Sequence, residues 1–410
     1  ETMLWLESDR MGFLLDAVTQ EKFEIQRATV KNERGQNVEN RPYGRFGEVT
    51  NAAMYPPEHP YSWPVIGYPE DLDAATVDDL KRFFLRWYGP NNATLTIGGN
   101  VNEEEVIALA VKYFGEIPAG PNVAPASFPA PVLSKDRYVS YVDTNIRFPA
   151  LLSTWPTVPL NHPDRVALEA LNDIIGGGRK SFLYKQFILT QKAIEASGFN
   201  DSSELGGTLT FFVLPFPGTS LSQFETELRD VIANFGAESI SDDDLQIFKA
   251  QQEAGLINSL ASVSGKVSQL AYNQTFLGDP NQIQKELDDI RALTREDIVR
   301  VFTTYIKDKP AVIQSVVPGN APDSQARPDD YVVPARLSRS GAVDEPLSLR
   351  EIVSAFNRDV KPSPASSPLV IMPDYWEQTL ANGIQVIGTS NAEVPMVNLR
   401  LVFRGGHLLE

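Results

Sequence analysis

The chain contains no cysteine. Disulfide frameworks, thiol nucleophiles and thiolate metal ligands are therefore excluded. That absence fits a periplasmic and a cytosolic protein equally well. Histidine is nearly as scarce: His59, His162 and His407 are the only three in 410 residues, and none sits in an H-x-x-E-H motif. Positive charge is in deficit, with 36 Lys and Arg against 53 Asp and Glu and a net charge of −17. An acidic surface of this kind argues against nucleic acid and anionic membranes as partners. It could favour basic peptides, though solubility accounts for it as well. No apolar run approaches the roughly 20 residues that a membrane-spanning helix requires. The opening Glu1-Thr2-Met3-Leu4-Trp5-Leu6-Glu7 reads as mid-helix rather than as a signal peptide, and the last residues stop just after a strand-like run. The expectation is a stretch taken from a longer parent.

What is present is ordinary for a globular protein: 42% apolar and 22% charged residues. The length predicts about two to three domains, each able to bury its own core. An internal repeat organises them. Leu72-Asp73-Ala74-Ala75-Thr76-Val77-Asp78-Asp79-Leu80-Lys81-Arg82-Phe83-Phe84 matches the stretch from Ile290 to Phe302 at a constant offset of 218 residues. Thr76 and Thr294 are N-cap candidates, and Asp79 and Asp297 sit at N3 as in a capping box. Leu80 and Ile298, and Phe84 and Phe302, take equivalent places on the apolar face. Each helix runs into a strand-like segment, Ala93–Ile97 and Ala311–Ser315, still at the same offset. This predicts a duplicated α+β unit of roughly two hundred residues.

Punctuation places the boundaries. Residues 1–118 read as the tail of one unit, mostly helical, with a strand over 93–98 and a helix over 103–114 capped by Asn102 with Glu105 at N3. A Pro/Ala-rich link occupies 119–133. The second unit covers 134–318, with strands predicted near 138–144, 149–155 and 208–214. Its helices are predicted near 163–175, 180–192, 221–235, 242–277 (broken near Ser264-Gly265) and 295–306. Residues 319–374 read as an extended Pro/Ser-rich linker with one short helix over 347–357. From 375 to 410 order resumes, with strands expected over 380–387 and 397–403.

The segment Phe23 to Arg34 reads as a helix that places Gln26, Val30 and Glu33 on one face. Together with Arg41-Pro42-Tyr43-Gly44 and Glu58-His59-Pro60-Tyr61-Ser62-Trp63 it resembles the M16 family of zinc metallopeptidases. The likeness covers nearly all of the chain except the linker. It implies an α+β fold of tandem M16-type α/β sandwich units, with antiparallel-rich sheets flanked by helices. It implies that 1–118 is the C-terminal part of a first unit, 134–318 a second, non-catalytic unit, and 375–410 the start of a third. It also implies a zinc site whose third ligand is Glu33. The other two ligands would be the histidines of H-x-x-E-H, roughly seventy to eighty residues before Glu33. Zinc would lower the pKa of a bound water, and the Glu of that motif would take its proton. With the motif absent, these residues are expected not to hydrolyse peptides alone. Gln26 stands where many members carry a further Glu, which weakens a supporting carboxylate role there.

Members also carry an Arg and a Tyr, seven apart, that grip substrate. Here those positions fall on Ile188 and Glu195, so a C-terminal half or a partner chain is expected to complete the clamshell. Peptide substrates are expected to bind partly by strand addition to a sheet edge. The expected setting is bacterial, periplasmic or secreted, with the cytoplasm left open. A second reading stays beside this one: a non-catalytic M16-like subunit that scaffolds an active chain. A third is a plain α+β binding module. Gly176-Gly177-Gly178-Arg179-Lys180-Ser181 invites a phosphate-loop reading, but no Gly directly precedes Lys180 and no strand leads in. It reads as a helix C-cap and turn. His59 reads as a hydrogen-bonding loop residue, His162 as a helix-entry residue, and the five scattered tryptophans as core.

Overall fold

The computed structural model describes residues 1–336, 347–363, 372–390 and 395–405. Residues 1–118 form helices α1 (Thr2–Phe13), α2 (Gln20–Arg34), α3 (Phe46–Met54), α4 (Pro69–Ala74), α5 (Val77–Trp87) and α6 (Glu103–Phe114). Strands β1 (Arg137–Asp143) and β2 (Ala150–Thr157) follow, then α7 (Arg165–Gly176), β3 (Ala193–Ser203) and β4 (Gly206–Pro215). Next come α8 (Leu221–Ala233), α9 (Asp242–Ser259), α10 (Val263–Tyr272), α11 (Ile283–Ala292), α12 (Arg295–Tyr305) and β5 (Val312–Pro318). A hairpin of β6 (Tyr375–Thr379) and β7 (Gln385–Thr389) lies near the end.

The α+β class and the antiparallel-rich sheet are as expected. The five strands run in the order β1-β5-β2-β4-β3, and only the β1–β5 pair is parallel. The last strand of the unit is thus inserted between its first two. The three central strands are buried along almost their whole length. Alternation sorts their side chains between the two faces. Leu151, Trp155, Leu209, Phe211, Val213, Ile313 and Val317 face a core built with Leu168, Phe224 and Phe302 from α7, α8 and α12. Val312, Val316, Ala150, Leu152, Phe212 and Leu214 face the other way. That second face is covered by chain from residues 43–61. Ala53, Met54 and Tyr55 pack on Val139 and Val312. Thr50 Oγ1 donates to Gln314 Oε1 at 2.9 Å in a buried contact, and Tyr43 OH donates to the Phe148 carbonyl at 2.8 Å.

The repeat survives in atomic detail. Thr76 Oγ1 accepts from the Asp79 N–H at 3.2 Å while Asp79 Oδ2 accepts from the Thr76 N–H at 2.9 Å. The Thr294–Asp297 pair gives 3.2 and 3.0 Å. The two helices differ in what lies beneath them. On α12, Ile298 and Phe302 are 0% and 1% exposed, whereas on α5 the equivalent Leu80 is 42% exposed. The strand expected over 93–98 is correspondingly absent. Residues 93–97 are extended but pair with no strand among the described residues, and a strand without a ladder partner is not a strand.

Four other expectations are corrected. The helix over 180–192 is shorter than expected: it is helical only over 182–188, ending in a π turn (Tyr184–Ile188), and the chain enters β3 at Ala193. The 11-residue β3 and helix α11 had no predicted counterpart. The helix over 347–357 is irregular chain that bends at Ala355 and Phe356. The strand over 380–387 is only partly one: Leu380–Ile384 is the turn from β6 to β7, with Gly383 at φ +86 where an L side chain would be strained, and residues 385–387 lie in β7. Residues 397–403 form no ladder among the described residues. The long predicted helix breaks at Leu260–Ser262, with Ser262 capping α10 through the Gly265 N–H. At the end of α7, a Cβ on Gly176 would lie 2.3 Å from the Gly198 nitrogen, so only glycine lets this helix approach β3.

The unequal burial of the repeat predicts unequal costs. Ile298→Ala should lower unfolding free energy by about 2–5 kcal/mol. Leu80→Ala, at the matching position, should stay within about 0.5 kcal/mol. Urea unfolding measures both; equal losses would contradict the assignment.

Candidate metal-ligand site

Glu33 lies in the last turn of α2. This helix is polar and held mostly by its own surface. Thr19 caps it by accepting from the Lys22 N–H, Gln20 Nε2 donates to Glu24 at 2.7 Å, and Arg27 pairs with Glu24 at 2.8 Å. Lys31 reaches Asp73 on α4 at 2.7 Å, and Arg27 also donates to the Ala75 carbonyl. The end of the helix is fixed by the residue next to the candidate ligand. Arg34 is 4% exposed. Its guanidinium donates to Glu48 Oε2 at 2.8 Å, to the Gly67 carbonyl at 3.0 Å and to Glu39 Oε1 at 3.1 Å, and lies 5.6 Å from the centroid of the Tyr68 ring. A π turn, Gly35–Glu39, follows directly.

The Glu33 side chain itself is exposed, and so is Gln26. Neither has a hydrogen-bond or ion-pair partner among the described residues. Zinc in a hydrolase takes three protein ligands and one open position. Among the described residues no group of three or more His, Asp or Glu could hold a metal ion. The residues present thus supply one carboxylate, which does not amount to a zinc site.

The histidines do not complete it. His59 is 1% exposed, and its ring stacks on Tyr55 at 4.5 Å and meets Tyr61 and Phe128 at 5.0 and 4.9 Å. Nδ1 accepts from the Tyr61 N–H at 3.1 Å, while Nε2 is buried without a partner among the described residues. Burial lowers the pKa of His59 from its ordinary value. His162 stands at the entry to α7, where its carbonyl accepts from the Arg165 N–H at 3.1 Å and its Nδ1 from the Asp164 N–H at 3.1 Å. His407 lies outside the described residues.

Ile188 and Glu195 do not share a face. Ile188 closes the π turn and packs on the core, and Glu195 sits on the edge strand β3 opposite Leu214. The glycine-rich turn is structural: Gly177 caps α7 and Gly178 takes φ +72. The cleft beside it carries Asp173 and Asp244 along with Arg179 and Lys180, and two carboxylates are poor company for a phosphate.

With this geometry in place, comparison with known proteins is informative. Residues 74–252, from the end of α4 to the middle of α9, match the family model described as the peptidase M16 inactive domain. A Helicobacter pylori protein named zinc protease PqqE is 26% identical over 316 residues, covering 74% of this chain and 68% of that protein. An uncharacterized zinc protease of Mycobacterium leprae is 26% identical over 268 residues, but the chain spans only 58% of its length. The crystal structure of a protease from Helicobacter pylori superposes with a TM-score of 0.65 at 25% identity, over 77% of this chain and 76% of that one. The M16 inactive domain from Pseudomonas fluorescens reaches the same TM-score at 16% identity, over 77% of this chain and 74% of that one, and shows likeness of fold. The fold is α+β, an antiparallel-rich sheet with α7, α8 and α12 on one face and residues 43–61, including α3, on the other. Over residues 74–252 the chain is similar to the inactive domain of the M16 peptidase family.

The buried imidazole sets a pH dependence. The native state holds His59 neutral, so below the ordinary value of 6.5 the unfolded chain binds the extra proton first. Stability is full above pH 6.5 and falls as pH drops toward the lowered native value. Denaturant midpoints between pH 7.5 and 5 should fall more steeply for the wild type than for His59→Gln. Parallel profiles would show that burial does not hold this ring neutral.

Proposed function

We propose that these residues are part of a zinc-dependent M16 metalloendopeptidase that hydrolyses peptide bonds in peptides or small unfolded proteins. In this reading residues 1–118 are the C-terminal part of a first unit, 134–318 the second, non-catalytic unit, and 375–410 the start of a third. Glu33 is the third zinc ligand. A C-terminal half or a partner chain closes the clamshell around the peptide. The relatives' names support zinc proteolysis. The proposal rests most on the Glu33 carboxylate. It is free of partners among the described residues, yet it sits one position before an arginine that is buried and bound three ways. A solvated surface glutamate needs no such anchoring, whereas a metal ligand gains from a fixed helix end. When bound, zinc would supply an activated water. Of the ligands that would hold it, this sequence supplies only Glu33, and it contains no H-x-x-E-H.

Metal analysis tests the reading. After equilibration with zinc and extensive dialysis, the 410-residue chain should retain close to none and should cleave no peptide in a chelator-sensitive way. With a polypeptide that supplies H-x-x-E-H, bound zinc should appear and Glu33→Ala should abolish it. Zinc retained by the chain alone, or zinc in the complex indifferent to Glu33→Ala, would overturn the assignment.

A further inference from the structure

The stretch expected to be a free linker is built into the surface of the first unit. Along it Ile352, Ser354, Phe356 and Arg358 are half-buried, while Glu351, Val353, Ala355 and Asn357 are exposed. A period of two is what an extended chain shows when one side lies on a surface. The surface is the groove between α1 and α6. The Arg358 side chain is only 9% exposed there. It donates to Glu116 Oε1 at 2.5 Å, to the Tyr113 carbonyl at 3.0 Å and to Ser8 Oγ at 3.1 Å, and its guanidinium lies 4.2 Å from the centroid of the Phe13 ring. The Arg358 carbonyl accepts from Trp5 Nε1 at 3.1 Å. Phe356 meets the buried Tyr113 edge-on at 5.2 Å. Upstream, Arg350 donates to the Leu85 carbonyl at 2.8 Å.

The groove is shaped for this occupant. Glu116 accepts from Arg358, from the Ser354 hydroxyl at 2.7 Å and from the Ala355 N–H at 3.0 Å, so its hydrogen-bond partners come from residues 354–358. Lifting the segment away would strand a largely buried carboxylate, which is costly. Ile352 packs close to α1: a Cβ at Gly12 would lie 3.2 Å from Ile117 Cδ1 and in ordinary contact, 3.4 Å, with Ile352 Cδ1. Up to Asp330 the chain before the strap is fixed to the second unit, where the Ala326 N–H donates to Ser315 Oγ at 3.0 Å and Asp330 Oδ1 accepts from the Tyr138 N–H at 2.9 Å; it reaches the first unit at Arg336, which pairs with Asp71 at 2.7 Å and lies 3.7 Å from the centroid of the Tyr68 ring.

We infer that residues 350–358 are a strap, locked by Arg358 and Glu116, that fastens the chain leaving the second unit back onto the first. The hairpin at 375–389 is then tethered to the first unit. At about 3.5 Å per extended residue, its first strand begins within roughly 60 Å of the Arg358 anchor, against roughly 135 Å from the exposed Arg336 contact if the strap were free. The first unit therefore sets where the following segment can act. This holds whatever the chemistry at Glu33.

Limited trypsin digestion of the whole chain tests the strap, by following the bonds after Arg350 and Arg358. Glu116→Gln and Phe356→Ala should each speed cleavage at both bonds about tenfold over wild type, with cleavage after Lys307 in the second unit unchanged. If Glu116→Gln also speeds the Lys307 bond, the fold itself is disturbed and Phe356→Ala decides. Unchanged rates at Arg350 and Arg358 in a folded variant would overturn the inference.

Discussion

Backbone pairing is the constraint on which this structure depends. Inside a protein nearly every N–H and C=O must find a partner. In the second unit β5 meets that demand on both sides, lying parallel to β1 and antiparallel to β2. Closing the unit with its last strand between its first two fixes the layer that α7, α8 and α12 cover. It also gives residues 43–61 a flat apolar face to dock on. The same helix-to-strand pattern recurs at α5 and residues 93–97 without flanking strands among the described residues, and there Leu80 is exposed although Phe84 is buried. Similar local chemistry thus yields a core helix in one place and a partly exposed helix in the other.

Much of the second unit was legible because its signals are local. β1, β2 and β4 carry dense β-branched and aromatic residues, and Thr294 with Asp297 spells out a helix start three residues apart. β3 was not legible. Its sequence, from Ala193 through Glu195 and Asp201 to Ser203, is polar and small, as suits an edge strand with one side in water. The preceding Phe182–Ile188 carries helix-forming residues and is helical, but the entry to β3 ends the helix well short of 192. The stretch from Leu349 to Phe356 likewise has helix-forming composition, yet Arg358 finds Glu116 across 242 residues and the chain there is irregular. No window of sequence contains that pair.

The candidate site was legible only through family likeness. A glutamate on a polar helix has no intrinsic signature, and the structure shows Glu33 in solvent as composition alone would have it. What sequence reading missed is its neighbour. Arg34 looks like one more surface charge until Glu48, Glu39 and the Gly67 carbonyl converge on it. His59, read from the sequence as a hydrogen-bonding loop residue, accepts from the Tyr61 N–H and is also buried among Tyr55, Tyr61 and Phe128, so it packs residues 55–61 against the 119–133 link.

Native-state hydrogen exchange would test the pairing account most directly. The account predicts that amides of β5, Val312 to Val316, exchange only through large-scale unfolding. The equivalent amides of residues 94–97, at the same place in the repeat, should exchange within seconds. Comparable protection in the two segments would mean that residues 93–97 are paired after all, and that the first unit owns a sheet.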